Sequence, residues 1–377
     1  MTTILTELKN KYIASKGFHT DRHLLIIESD DWGSIRMPSI QTFNKLQEYG
    51  DHPEKDGFLS NDSLETEKDI IALYDVLTSI CDKNGNHAVV TANFVMANPN
   101  FEKIDISARK YAYEPFWETY RKYGISDAML KLIKDGIKNH IFIPQLHCRE
   151  HLSVNRWMNA LYKGQSDALL AFENQMIGVF ASFSDNNKFG YMDAFNTDQT
   201  NIDELSVILR DAVRLFNETF AYQSKTFVAS CFVWAKEFEK LLFENGILGI
   251  QSAPWQNCAV GRNGHYKLKR KIHYTGQKNR YGQIYTVRNC GYEPAYYQNA
   301  DECVESCFAE ICRSYDNKKP AIVNSHRFNY IGTINPKNAE NNLIGLRKLL
   351  VKVQERYPDV EFVSSSNLIE IIRQEEK

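Results

Sequence analysis

Short apolar runs rich in β-branched residues recur along the chain, at residues 23–27, 88–91, 141–143, 226–228, 247–250, 321–323 and 360–363. Each is followed by a polar loop and then by helical spacing. Continuous apolar strands alternating with helices predict a parallel sheet covered on both faces. The helices are legible in the same way. Ile70, Ile71, Leu73, Tyr74, Leu77 and Ile80 share one face of a segment that Asp62 or Ser63 can cap, with Gly85 just past its end. Residues 203–220 repeat the pattern with Leu205, Val207, Leu209, Val213 and Phe216, and residues 339–353 do so with Leu343, Leu346, Leu349 and Val353. About seven strand–helix units suit a distorted (β/α) barrel better than an open sheet with a cofactor crevice. The whole chain, 1–377, is expected to form one such α/β domain.

One stretch breaks the rhythm. Between Arg262 and Arg288 lie Lys267, Lys269, Arg270, Lys271, Lys278 and Arg280, with no Asp or Glu among them. Tyr266, Leu268, Ile272 and Tyr274, then Tyr281, Tyr285 and Val287, alternate with polar positions. This predicts a two-stranded basic ribbon inserted over about 256–298. Two readings stay open: a solvated edge protected by charge, or a flap over an anionic substrate or partner surface.

Composition narrows the function classes. The 377 residues are 43% hydrophobic and 24% charged, an ordinary globular balance. Lys and Arg number 45 against 47 Asp and Glu, so the net charge is −2 and nothing in bulk attracts nucleic acid or an anionic membrane. No apolar run approaches the roughly 18 residues of a membrane span. The start, Met1 to Lys16, lacks the apolar core of a secretion signal, and the eight cysteines form no CxxC pair. Reduced thiols and a cytoplasmic location are the expectation. The signatures GxxxxGK[ST], GxGxxG and GxSxG are absent, which removes support for kinase, dehydrogenase and serine-esterase readings.

Three polar clusters directly follow apolar strands: Ser29-Asp30-Asp31-Trp32-Gly33, His147-Cys148-Arg149-Glu150-His151 and Ser325-His326-Arg327. In a barrel, strand ends of one sense meet at one rim, so clusters far apart in sequence converge. His147 and His151 have the i, i+4 spacing that presents two imidazoles to one metal, though with ten histidines in the chain the spacing alone is common. A two-histidine site needs a third ligand. One of the paired aspartates can supply it, while its neighbour takes a proton from a metal-activated water. His326 at the same rim is a candidate general acid.

These residues resemble the metal-dependent polysaccharide deacetylases of the chitooligosaccharide-deacetylase homology type. The family's Thr-Phe-Asp-Asp is matched by Glu28-Ser29-Asp30-Asp31, which implies a catalytic base at Asp30 and a metal ligand at Asp31. Its His-Ser/Thr-x-x-His is matched by 147–151, implying metal ligands at His147 and His151, and the run Ile322-Val323-Asn324-Ser325-His326 implies the general acid at His326. The closing segment, 360–367, is similar to the family's last strand and turn. Two signatures depart. An Arg that holds the base is missing where the chain reads Ala229-Ser230-Cys231-Phe232, and an Asp that tunes the acid is missing before Trp255. Cys148 also stands where the family has a hydroxyl. Arg149 is the expected replacement for the missing Arg, and Trp32 and Trp255 are candidates for stacking on a sugar ring.

The resemblance implies hydrolytic removal of N-acetyl groups from a carbohydrate or sugar-precursor substrate, with one divalent metal, zinc by donor chemistry. Two alternatives stay open. The departures permit a barrel that binds a glycan or sugar nucleotide without turnover. The string 147–151 also fits H-x-x-E-H, an inverted zinc-peptidase motif with Glu150 as base, which requires a helix. No nucleic-acid partner is expected, and homo-oligomerisation is left open.

Overall fold

All seven apolar runs become strands of one parallel sheet in the computed structural model. It describes residues 15–48, 53–178, 190–196, 202–262, 265–297 and 299–375, without the side chains of 259–268. The segment before residue 15 and the side chains of Arg262 and Lys267 lie outside the described residues. The strand order is Ile284–Val287, Gly249–Ser252, Thr226–Val228, Phe142–Cys148, Val90–Val95, Leu24–Trp32, Ala321–His326, Cys290–Gly291, with Glu361–Phe362 also pairing with the start of Leu24–Trp32. The sheet curls into a distorted (β/α) barrel. Its two edge strands are consecutive in the chain and only Arg288 and Asn289 separate them. The Arg288 N–H donates to Ser252 O at 2.9 Å on one side of this seam, and the Asn289 N–H to Ile322 O at 3.0 Å on the other.

Alternation along the strands sorts the side chains into two faces. Leu25, Ile27, Ala321 and Val323 join the large core under the surrounding helices. Leu24, Ile26, Ile284 and Ile322 face the opposite way and pack on Leu368, Ile369 and Ile372 of the last helix, Ser365–Glu375. Continuing up the same face, Leu24 and Ile26 give way to Glu28 and Asp30, and Ile322 gives way to Asn324 and His326. The barrel interior is therefore apolar at its base and polar towards the rim.

The helices settle where burial and caps dictate. Thr66, not Asp62 or Ser63, caps Glu67–Thr78, in a reciprocal box with Asp69. Ile70, Leu73, Val76 and Leu77 of that helix are buried, whereas Ile71 is 48% exposed. Ile202–Phe220 buries Leu205, Leu209 and Phe216, and Pro336–Arg356 buries Leu343, Leu346, Leu349 and Val353.

The inserted ribbon is shorter than the sequence suggests. Trp255–Arg262 pairs antiparallel with His265–Ile272. Tyr285 and Val287, read as ribbon, instead belong to the barrel strand Ile284–Val287 and are buried. Lys269, Arg270, Lys271, Lys278 and Arg280 are exposed, but Arg288 is only 4% exposed and points into the barrel. Two basic neighbours, Lys278 and Arg280, hid a barrel strand in the sequence pattern.

Candidate metal centre

Two adjacent aspartates on a regular strand would point to opposite faces. Here the pairing of Leu24–Trp32 with Val90–Val95 shifts register between Ser29 and Trp32, and Asp31 takes a left-handed backbone, φ 75°. Such a bulge re-aims a side chain at a sheet rim. Asp31 is thereby turned towards His147 and His151, while Asp30 stays on the interior face opposite His326, its register partner.

Asp31, His147 and His151 bring three ligand atoms within 4.8 Å of one another, all from buried residues. Asp31 Oδ1 lies 3.3 Å from His147 Nε2 and 3.5 Å from His151 Nε2. His147 Nδ1 is 2.9 Å from Val228 O, and a carbonyl only accepts, so Nδ1 carries the proton and Nε2 presents a lone pair. Burial and the nearby Arg36 cation hold His151 well below the ordinary imidazole range, so it is neutral. Burial alone would raise the Asp31 carboxyl, but Arg36 and the imidazoles hold it well below the carboxylate range. Its Oδ1 nevertheless has no hydrogen-bond donor, and neither does His151 Nδ1 have a partner. Lone pairs aimed at one another, buried and without a proton between them, fit a cation. Arg36 Nη2 donates to the other oxygen, Asp31 Oδ2, at 3.3 Å and fixes the carboxylate plane.

Asp30 is held from the opposite side. Arg288 donates to both its oxygens, Nη1 to Oδ2 and Nη2 to Oδ1, each at 2.7 Å, and Asn93 Nδ2 donates to Oδ1 at 2.7 Å. Burial opposes ionisation of Asp30, but Arg288 overrides it and brings the carboxyl down to about 2. The same guanidinium donates through Nε to Glu28 at 2.7 Å, and to Asn324 at 2.6 Å and Gln251 at 3.1 Å. Glu28 is fully buried and also accepts from Ser365 Oγ at 2.7 Å, with burial raising its carboxyl above the ordinary value.

His326 Nδ1 is 2.6 Å from Glu293 Oε1. Burial works against the imidazolium, but Glu293 outweighs it and raises His326 to about 9. Glu293 is itself fixed, accepting from Asn324 Nδ2 at 2.7 Å and Asn329 Nδ2 at 2.6 Å. Phe58 meets the His326 ring edge-on at 5.2 Å.

The expected residues therefore divide. Asp30, Asp31, His147, His151 and His326 come together at the rim. Arg149 does not reach Asp30: its Nε donates to Glu150 at 2.8 Å, its Nη1 to Asp211 at 3.2 Å, and it lies over the Tyr113 ring. Arg288 takes the place predicted for it. Trp32 is 1% exposed, donates to Ser29 Oγ and packs edge-on against Phe142, so it is core and offers no face to a sugar. Trp255 begins the ribbon, half-buried, with the Arg270 guanidinium 6.0 Å from its ring. Cys148 is buried, and burial pushes its thiol well above the ordinary range.

Arg288 and Glu293 were missed in the sequence. Arg288 follows the apolar run Ile284-Tyr285-Thr286-Val287, the same strand-then-polar signal that marked the other clusters, but it stood among basic residues and was read with them. Glu293 carried no local signal.

No family model matches the chain, and no curated protein matches it. Solved structures do resemble it. One, described as a probable polysaccharide deacetylase from Pseudomonas aeruginosa PAO1, is 8% identical, with 94% of this chain and 92% of that chain covered at a TM-score of 0.50. Another, from Mycobacterium smegmatis and provisionally named a polysaccharide deacetylase, is 10% identical, with 96% and 94% covered and a TM-score of 0.45. PuuE allantoinase is 9% identical over 94% and 93%, with a TM-score of 0.48. At these identities the likeness concerns architecture. By fold the chain stands with the polysaccharide deacetylases, as a divergent form.

Proposed function

We propose that the protein is a metal-dependent deacetylase that hydrolyses the N-acetyl amide of a carbohydrate or sugar precursor. The observation that carries this is the arrangement of the rim: an Asp–His–His donor set flanked by a carboxylate locked in its ionised form and by an imidazole held protonated. A divalent cation on Asp31, His147 and His151, zinc by the donor set, would acidify a water and polarise an amide carbonyl. Asp30 is ionised at neutral pH and accepts the proton of the attacking water, while Arg288 and Asn93 keep its oxygens oriented. As the C–N bond breaks, His326 gives its proton to the departing nitrogen, because an amide nitrogen does not leave as an anion near neutrality. The products are acetate and a free amine. Glu293 keeps His326 protonated for this role.

Arg288 and Glu293 supply the two functions whose signature residues are absent from the usual places, which weakens the reading of an eroded, purely binding barrel. The peptidase reading fares worse. Residues 149–151 follow a strand and are not helical, and Glu150 is turned to Arg149 and Tyr111. The deciding experiment is acetate release from a panel of N-acetylated sugars by the metal-loaded protein. Release that requires Asp30 supports the proposal. Metal bound with no release from any member would favour the binding barrel.

A further inference from the structure

Beside the barrel seam lies a cavity of about 430 Å³, within the ~300–1,000 Å³ typical of small-molecule sites. Its lining comes from segments that follow barrel strands: Phe232, Pro254, Arg288 with Asn289, and Tyr297, together with Asn324 and Glu310. It reaches the chemistry directly, because Arg288 and Glu293 both line it, and these residues hold Asp30 and His326.

The charge of this cavity is the informative feature. Arg288 is its one cation among the described lining residues, and its guanidinium is already taken up by Asp30 and Glu28. Glu293 faces His326. Glu310 accepts the Gly291 N–H at 2.9 Å through Oε2 and has no salt bridge among the described residues. Ribbon residues Lys269, Arg270 and Lys271 are exposed and do not line the cavity. The walls therefore combine carboxylate and amide acceptors and donors with two aromatic rings, and they offer no free cation to an anion. Tyr297 is 42% exposed, so its ring is available to a ligand.

We propose that this seam cavity is the subsite for the leaving-group side of the substrate, and that it selects an uncharged or amine-bearing sugar ring against a phosphorylated one. The inference rests on the deacetylase reading of the neighbouring rim. The Asn289 and Asn324 amides and the Glu310 carboxylate hydrogen-bond ring hydroxyls or an ammonium, and Tyr297 covers an apolar sugar face. Glu310 repels a phosphate brought to the same place. This departs from the basic-flap reading of the 262–288 stretch, in which ribbon cations receive an anionic precursor.

The test uses full-length, metal-loaded protein with di-N-acetylchitobiose and N-acetylglucosamine 6-phosphate as probes, read by acetate release and by calorimetric binding to Asp30→Asn. The wild type should bind and process the neutral disaccharide in preference. Glu310→Gln, which keeps an acceptor for Gly291, and Tyr297→Ala should each raise its KM by about 3–10-fold, the weight of one polar or stacking contact. Glu310→Lys should lower the KM of the phosphorylated sugar by a similar factor. Lys269→Glu should move neither KM. If the neutral sugar is deacetylated but the Glu310 and Tyr297 variants leave both KM values unchanged, the subsite is wrong and the reaction stands. Preference for the phosphorylated sugar, or its loss on Lys269→Glu, hands recognition to the ribbon and overturns the proposal. Neither binding nor release with either probe, with metal bound, removes the reaction and the subsite together.

Discussion

Replacing Arg288 by Leu tests the electrostatic design of the rim most directly. The side chain makes five hydrogen bonds to Glu28, Asp30, Gln251 and Asn324, and two of these partners are carboxylates that are 0% and 4% exposed. Removing one partner of a buried ion pair costs about 3–5 kcal/mol, because the remaining charge loses its compensation. A second route gives a similar scale. Asp30 is lowered from 3.8 to about 2, worth roughly 2–3 kcal/mol at about 1.4 kcal/mol per pH unit. The sign follows from linkage. In the wild type, Asp30 has a depressed folded-state pKa, so its stabilisation is present above pH ~4 and is lost as the pH falls through about 2. Without Arg288, burial dominates and the folded-state pKa moves above 3.8. Asp30 then destabilises the variant at neutral pH, and protonation relieves the penalty on acidification. Urea denaturation of wild type and Arg288→Leu at pH 7 and pH 4.5 measures this. The expected deficit is about 3–5 kcal/mol at pH 7 and visibly smaller at pH 4.5. Asp30→Asn in the Arg288→Leu background should recover part of it. A deficit under about 1 kcal/mol, or one that grows on acidification, refutes the reasoning.

Other outcomes follow from the same geometry. His147→Ala and His151→Ala each remove one donor of the set and should lower metal affinity by more than the ~10–100-fold of an outer-shell change, read by metal analysis after dialysis. Asp30→Asn should keep the metal and lose about 10²–10⁴-fold in acetate release. Glu293→Gln should move the alkaline limb of kcat/KM to lower pH. His326 is raised to about 9, so its protonated form and the stability linked to it are complete below ~6.5 and decline as pH rises through 9. Comparing the two proteins in the same metal-loaded state cancels the cation's own effect. Trp32→Phe loses the bond to Ser29 and should cost about 1–2 kcal/mol in stability with an unchanged KM for sugar, since Trp32 is core.

The sequence carried the frame well and the electrostatics poorly, for a physical reason. Strand existence follows from apolar runs, and all seven runs became strands because a parallel sheet covered on both faces demands continuous burial. The metal donors were legible because each sits in a short cluster at a strand end. Ile284–Val287 was hidden because its flanks are basic, and alternation alone does not separate a ribbon from a barrel strand. Trp32 was misassigned because position after a strand does not tell which face a side chain takes across a bulge. The partners of Asp30 and His326 were invisible because they depend on which strands meet at the seam. Arg288 and Asp30 are 258 residues apart, and Glu293 and His326 are 33 apart.

The displaced arginine also explains the segment where it was expected. The chain reads Ala229-Ser230-Cys231-Phe232 after the strand Thr226–Val228, with Cys231 and Phe232 in left-handed backbone at φ 56° and 54°. That distortion would be costly for a residue with no structural return. Its return is the Phe232 ring, which lies 5.4 Å from the Arg288 guanidinium carbon and lines the same seam cavity. A guanidinium stacked on an aromatic face and forked onto two carboxylates has little freedom left. Strand ends in a barrel converge within a side chain's reach, so a cation entering from the seam can serve the carboxylate that a cation on Thr226–Val228 would otherwise serve. Two segments have thus exchanged roles: one gives the charge, and the other supplies the surface against which the charge is held. The chemistry of the rim is conserved by geometry, and motif order along the chain is free to change.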